Sequence, residues 1–190
     1  MNKGIICGIL LSACLFTQNA QAERVIISTE KTSLVLDAAV GGNLNFAYYG
    51  EKINSHDADL LFDAGQAWKQ AYPVYGMQCQ SETALSVTHS DGNMTLQMKV
   101  QSVEKNGDVT RIKMKDIHYP FFIDVCYKTY PGKEIIETWA EYEHTEKGIV
   151  KLNQFASAYL PIRYGQVWIS HLYGSWANEG EWKKSHCVMA

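Results

Sequence analysis

Beyond residue 23 the chain alternates apolar and polar residues with a period of two, and turn residues break the alternation at short intervals. That period belongs to strands, whose successive side chains point to opposite faces, and it leaves little room for helices. Met94-Thr95-Leu96-Gln97-Met98-Lys99-Val100 is the clearest run, with Met94, Leu96, Met98 and Val100 on one face. Asn106-Gly107 then predicts a hairpin, because both residues tolerate positive φ. On the return strand, 109–117, Ile112, Met114 and Asp116 alternate with Arg111, Lys113 and Lys115. Runs at 121–130 and 134–144 flank Pro131-Gly132, with proline pre-set for the second position of a turn. Gly41-Gly42-Asn43 separates 32–40 from 44–49, and Ser90-Asp91-Gly92-Asn93 turns the chain before residue 94. Two further strands are expected at 149–160 and 166–173. Only 57–72 lacks alternation, and it reads as a long loop with one helical turn. Strands joined by tight turns without intervening helices predict a single all-β domain, an antiparallel β-sandwich or barrel.

Such a domain needs a core. Hydrophobic residues make up 46 % of the 190 positions and aromatics 12 %, enough apolar surface to offset the entropy of ordering the chain. The charge balance excludes one class of partner. Seventeen Lys+Arg against 20 Asp+Glu leave no basic excess to neutralise phosphates, so no nucleic acid is expected as a partner.

The first 22 residues read as an address. Lys3 precedes an uncharged apolar stretch from Gly4 to Phe16, and Ala20-Gln21-Ala22 places small residues where a signal peptidase cuts, before Glu23. The apolar run is shorter than the roughly 20 residues a bilayer span needs, and no other segment qualifies as transmembrane. The mature chain is therefore expected in the periplasm or outside the cell. Leu11-Ser12-Ala13-Cys14 also resembles a lipobox, which would anchor the protein at an acylated Cys14; apolar Leu15 and Phe16 continue past the cysteine and favour plain secretion. Export permits disulfides. Cys79, Cys126 and Cys187 are odd in number and widely spaced, which favours separate thiols over a Cys79–Cys126 bridge.

The search for chemistry finds candidates without a constellation. A retaining glycosidase holds two carboxylates about 5–5.5 Å apart across a sugar. Carboxylates are plentiful, at Asp57, Asp59, Asp63, Glu137, Glu141, Glu143 and Glu179, but spacing does not pair them. Glu137, Glu141 and Glu143 share a face with Trp139, which reads as a solvated face. Without an H-E-x-x-H or similar spacing, His89, His118 and His144 read as ordinary strand residues, and neither a metal nor a cofactor is expected. Ser170 and His171, adjacent in a strand, point to opposite faces and make no nucleophile–base pair. Aromatic rings stack on the apolar faces of sugars, and Trp68 and Tyr48-Tyr49 are placed for that, although packing is the commoner fate of any one ring.

Three stretches together resemble a known family. Gln70-Ala71-Tyr72-Pro73-Val74-Tyr75-Gly76 is similar to the Q-E-Y-P-x-Y/F-G segment in the N-terminal domain of glycoside hydrolase family 36 alpha-galactosidases. Trp139-Ala140-Glu141, with Val150 through Ser157, resembles the stretch leading into that domain's central strand. Ser170 through Glu179 (SHLYGSWANE) resembles the family's H-L-x-G-x-W-A-x-E, the most specific of the three. The likeness runs from about residue 25 to Trp182, and Lys183–Ala190 departs from it. The resemblance implies an N-terminal β-supersandwich, here incomplete, that precedes a catalytic (β/α)8 barrel. It also implies that the nucleophile and acid, both Asp, lie on barrel strands beyond this sequence, so no residue here inherits a catalytic role. Some tetrameric members complete a neighbour's galactose site with a loop of this domain. The corresponding 57–68 segment makes Asp57, Asp59 and Trp68 the candidate substrate-binding residues, although the family's Phe-Ser-Pro element is missing.

The chain is thus expected to divide into a signal peptide at 1–22, the sandwich at 23–182 and a tail at 183–190. The protein would be a truncated, exported N-terminal domain, inactive alone, whose full-length parent hydrolyses terminal alpha-galactosides. A stand-alone carbohydrate-binding or assembly module and a gene remnant are the alternatives. Because 166–173 carries no charge and high β propensity, self-association through an open strand edge is also expected.

Overall fold

The computed structural model describes residues 24–63, 69–77, 82–161 and 167–187. Two four-stranded antiparallel meanders dominate it. The first contains β1 (Arg24–Ser28), β2 (Thr32–Asp37), β3 (Asn45–Glu51) and the two-residue β4 (Lys69–Gln70), in the order β1-β2-β3-β4. The second contains β6 (Met98–Asn106), β7 (Val109–Asp116), β8 (Phe121–Thr129) and β9 (Ile136–His144), in the order β6-β7-β8-β9. Between them, β5 (Leu85–Thr88) pairs antiparallel with β10 (Lys151–Phe155). A separate hairpin is formed by β11 (Val167–Ser175) and β12 (Asn178–Cys187). One helix, α1 (Ser55–Asp63), follows β3.

The two meanders share one core, as a sandwich requires. Val25, Ile27, Leu34, Leu36 and Phe46 from the first meet Val100, Ile112, Met114, Phe121, Ile123 and Val125 from the second. Alternation set this up: β7 buries Thr110, Ile112, Met114 and Asp116 and turns Arg111, Lys113 and Lys115 outward. The burial of a carboxylate at Asp116 has a local cause. Its Oδ1 accepts the backbone N–H groups of His118 and Tyr119, each at 2.8 Å, and its Oδ2 accepts that of Gln97. Three charge-directed bonds replace the water it loses. They also fix the turn that leads into β8.

The expected strands at 32–40, 44–49, 109–117, 121–130, 134–144 and 166–173 all appear, with ends moved by a few residues. The differences are local. The run at 94–100 becomes strand only from Met98, because Leu96 N–H donates to the Tyr75 carbonyl and Gln97 N–H to Asp116, outside the ladder. Leu96 is still fully buried, whereas Met94 is exposed. The 149–160 run yields only five strand residues, with a bulge between Leu152 and Gln154. The one helical turn expected within 57–72 is a nine-residue helix that begins at Ser55, because Asn54 caps it: its Oδ1 accepts the Asp57 N–H at 2.9 Å, and its carbonyl accepts that of Ala58. Ala58 is then fully buried beneath the helix. Of the three histidines read as strand residues, only His144 lies in one; His89 and His118 sit just beyond β5 and β7. Within the segment set apart as a tail, β12 continues through Lys183 to Cys187.

Candidate functional site

The first two family-like stretches meet in space. The Tyr72 hydroxyl contacts the Tyr142 hydroxyl of β9 and donates to the Ala156 carbonyl at 2.6 Å. Burial raises the Tyr72 hydroxyl far above its ordinary pKa, and the Tyr142 contact adds to the shift, so the group stays a neutral donor. Gly76 ends the first stretch with φ +101°, and a Cβ there would lie 2.5 Å from Thr95 Cγ2 and 2.9 Å from the Leu96 backbone nitrogen. The tyrosine and the glycine of that segment therefore serve packing. The third stretch stands apart from this junction, in the β11–β12 hairpin.

The candidate substrate-binding residues fall on α1 and just after it. Asp57, in the first helical turn, is exposed, and its charge suits the positive end of the helix dipole. Asp59 pairs with Arg24 at the start of β1. Residues two apart on a helix do not share a face, so the two carboxylates point in different directions. Trp68 lies outside the described residues. Of the rings singled out beside it, Tyr48 donates to the Glu51 carbonyl at 2.9 Å, and Tyr49 is about half exposed.

The acidic row on β9 is organised by one arginine. Arg111 on β7 reaches Asp124 on β8 at 2.7 Å and grips Glu141 on β9 with two bonds, of 2.6 and 2.9 Å. Trp139 Nε1–H donates to the same carboxylate at 2.8 Å. The guanidinium first and the indole second hold Glu141 below the usual carboxylate pKa, while the carboxylates push Arg111 up. Asp124 and Glu141 are direct cross-strand partners, a pairing of two carboxylates such as a glycosidase also needs. An acid catalyst has to keep a proton near neutrality, however, and Glu141 is held ionised. Glu137, in the same row, accepts the Tyr130 hydroxyl at 2.5 Å.

A second polar cluster was not legible in the sequence. The His89 side chain is fully buried, and its Nδ1 lies 2.7 Å from Glu146 Oε1. Its ring stacks on Tyr119 with centroids 3.7 Å apart. Glu146 also accepts the Ser90 N–H and hydroxyl, each at 3.2 Å. Tyr119 donates to Asp91 at 2.8 Å and receives Asn93 Nδ2–H at 2.9 Å. The arrangement ties the 89–93 turn to the loop after β9 and leaves its hydroxyl and carboxylates satisfied by one another. Elsewhere a cleft of about 170 Å3 is lined by Leu34, Leu36, Phe46, Tyr127, Ile136 and Tyr159. So apolar a lining suits a bare ring better than a sugar's hydroxyls. Among the described residues no group of three His, Cys, Asp or Glu side chains is placed to hold a metal ion.

Among the described residues, exposed large apolar side chains are concentrated on the hairpin. Trp168, Ile169, Leu172, Tyr173, Trp176 and Trp182 all project into solvent, with Trp176 97 % exposed at the tip. Residues paired across an antiparallel ladder share a face, so Trp168, Leu172 and Trp182 lie together with Ser170, Lys184 and His186. Lys184 Nζ sits 4.9 Å from the Trp168 ring centre, and the His186 ring lies 4.8 Å from it.

Comparison with known proteins completes the description. The family model "Glycosyl hydrolase family 36 N-terminal domain" matches residues 42–189. No curated protein matches the sequence. Among solved structures, the galactosidase domain of the alpha-galactosidase-sucrose kinase AgaSK superposes with a TM-score of 0.74 at 18 % identity, over 86 % of this chain. The alpha-galactosidase AgaA from Geobacillus stearothermophilus, in complex with raffinose, gives 0.73 at 18 % identity over 87 %. The alpha-galactosidase from Lactobacillus brevis gives 0.71 at 15 % over 88 %. The chain spans only 28 % of the length of each of these three.

Proposed function

The chain belongs to glycosyl hydrolase family 36 through that family's N-terminal domain, and on this premise we propose that it serves as the sandwich preceding the catalytic barrel of an exported alpha-galactosidase, without contributing a catalytic residue. The family match over residues 42–189 is the observation that carries this reading. The whole enzyme would hydrolyse terminal alpha-galactosides with retention, using two barrel carboxylates. The ionised, arginine-bound Glu141 supports a non-catalytic role for this chain. Asp57 and Asp59 on α1, with Trp68, are the residues proposed to reach a galactoside held by the barrel. Export is proposed from Lys3, the apolar run to Phe16 and the small residues at Ala20 and Ala22.

The test is an assay of the purified chain with a chromogenic alpha-galactoside, alone and mixed with a separately produced family 36 barrel. No turnover is expected from the chain alone, and increased turnover is expected from the mixture. Turnover by the chain alone, abolished by Asp57→Asn or Asp59→Asn, would overturn the reading. Intact mass of the secreted protein reads the export: a start at Glu23 is expected, and an acylated Cys14 would replace plain secretion by a lipid anchor.

A stand-alone carbohydrate-binding module is the second reading, and the exposed Trp168, Trp176 and Trp182 favour it. Quenching or enhancement of tryptophan fluorescence by galacto-oligosaccharides, in the absence of any barrel, would select it.

A further inference from the structure

Beside the turn that joins β8 to β9, the two sheets leave a cleft of about 170 Å3 between them. Leu34, Leu36 and Phe46 form one wall, and Tyr127, Ile136 and Thr138 form the other. The register puts them there. Leu36 opposes Phe46 across β2–β3, and Tyr127 opposes Thr138 across β8–β9, so each pair shares one face of its sheet. Ala71 and Ala158 complete the lining, and their single methyl groups leave open a space that larger side chains would fill. None of the described residues that line the cleft carries a formal charge.

One buried polar group in this lining has no partner. Tyr127 is only 7 % exposed, and its hydroxyl makes no hydrogen bond to any described residue. The buried Tyr72, by contrast, engages both the Tyr142 hydroxyl and the Ala156 carbonyl. Elsewhere in the lining, Thr138 donates to the Ser157 carbonyl at 3.4 Å and Tyr49 stands half in water. A buried phenol that donates to nothing has given up water without replacement, whereas buried tyrosine hydroxyls usually find a partner. Burial raises the Tyr127 pKa well above that of an ordinary phenol, so the group is a neutral donor and what it needs is an acceptor.

We propose that the cleft binds one small uncharged aromatic molecule, its ring held between the Leu36–Phe46 wall and Ile136 and a single carbonyl or ether oxygen accepting the Tyr127 hydroxyl. The proposal does not depend on the galactoside reading. An apolar cavity of about 150 Å3 lined by Leu, Ile and Phe holds one benzene ring, so the space here suits one ring with a small substituent. Water is a poor occupant, because a buried water makes about three hydrogen bonds and these walls are mostly hydrocarbon. A sugar would press most of its hydroxyls against Leu, Ile and Phe without partners. A carboxylate or an ammonium group would meet no opposite charge among the described lining residues. An aromatic ring loses nothing there, and the Phe46 and Tyr127 rings offer it edge-to-face or offset contact.

Titration of the isotope-labelled full chain with acetophenone, followed by the NMR shifts of its backbone amides, reads the site. Saturable shifts are expected at Leu36, Phe46, Tyr127 and Ile136. Tyr127→Phe keeps the ring and removes the donor, and should weaken acetophenone binding about fivefold. Toluene, similar in shape but without the oxygen, should bind the two proteins equally. The amide spectrum of the variant reports whether its fold is retained, and the shift map of the unchanged protein locates the site independently of it. Absence of saturable shifts, shifts confined to the β11–β12 hairpin, or equal acetophenone affinity in Tyr127→Phe would each overturn the proposal. So would methyl alpha-galactoside moving the same amides at a lower concentration than acetophenone.

Discussion

His89 and Glu146, 57 residues apart in sequence, hold each other at 2.7 Å with both side chains out of water. The pair is the clasp between the 89–93 turn and the loop that follows β9. Burial alone would raise the Glu146 pKa, but the bond to His89 and those to the Ser90 N–H and hydroxyl outweigh it and leave the carboxyl below its ordinary value. The depressed value fixes the direction of a pH effect. The stabilisation is fully present above the ordinary carboxylate pKa and is lost as pH falls through the lower folded value. Glu146→Gln should therefore cost about 1.5–3 kcal/mol at neutral pH and flatten the acid limb of the stability profile. Urea unfolding at several pH values below 6 checks both; an unchanged slope would remove the clasp from the account.

Asp116 is the second buried carboxylate on which the turn chemistry depends. Replacing it by Ala removes the acceptor of three backbone N–H groups. A loss of roughly 3 kcal/mol or more is expected, with Asp116→Asn milder because the amide oxygen still accepts. Equilibrium denaturation of the two variants side by side tests the order.

Two turn positions should respond in opposite directions. Ala177 holds φ +62° in the β11–β12 turn, a conformation that costs a side-chain-bearing residue about 1–2 kcal/mol. Ala177→Gly is expected to stabilise the hairpin by up to about 1 kcal/mol. Gly76→Ala should destabilise the sandwich instead, since the added methyl meets both Thr95 and the Leu96 backbone. Hydrogen exchange localised to each region measures the two effects separately.

Cys126 is free and fully buried on β8, and burial pushes its thiol up to about 11. Alkylation by iodoacetamide at neutral pH is expected to be negligible in the folded protein and rapid in urea. Peptide mapping after a timed pulse checks this. Fast labelling of native protein would mean that β8 opens far more readily than its packing implies.

The β6–β9 meander was legible because its information is local: alternation gives the faces, and Asn106-Gly107 and Pro131-Gly132 give the turns. The four strands follow one another in the sheet as they do in the sequence. The same reading expects only one helical turn where α1 has nine residues, since the one strong signal is the cap at Asn54, and it places Met94 in a strand because alternation does not register that Leu96 and Gln97 bond elsewhere. His89 reads as an ordinary strand residue in the sequence because its partner, Glu146, lies beyond the whole second meander. The family motifs identified the domain, but they did not reveal that Tyr72 and Gly76 serve packing. That meaning resides in contacts with Tyr142, Ala156 and Thr95, none of them sequence neighbours. Trp68 lies outside the described residues, so the geometry around the candidate galactoside contacts rests on Asp57 and Asp59.

Strands β1 to β3 and β6 to β9 can each form by zipping every strand onto its predecessor, at the small entropic cost of closing short loops. The β5–β10 pair is different: Asn153 donates to Thr88 across 65 residues, and the whole second meander lies within the loop it closes. A contact so distant along the chain is the slow one to find, because much entropy is spent before any bond is made. The two meanders would then condense early as independent nuclei, with Leu85–Phe155 and Val87–Leu152 latching late. Substitutions in that latch should hasten unfolding and leave the refolding rate nearly untouched, which makes this short two-stranded sheet the timer of the domain's lifetime.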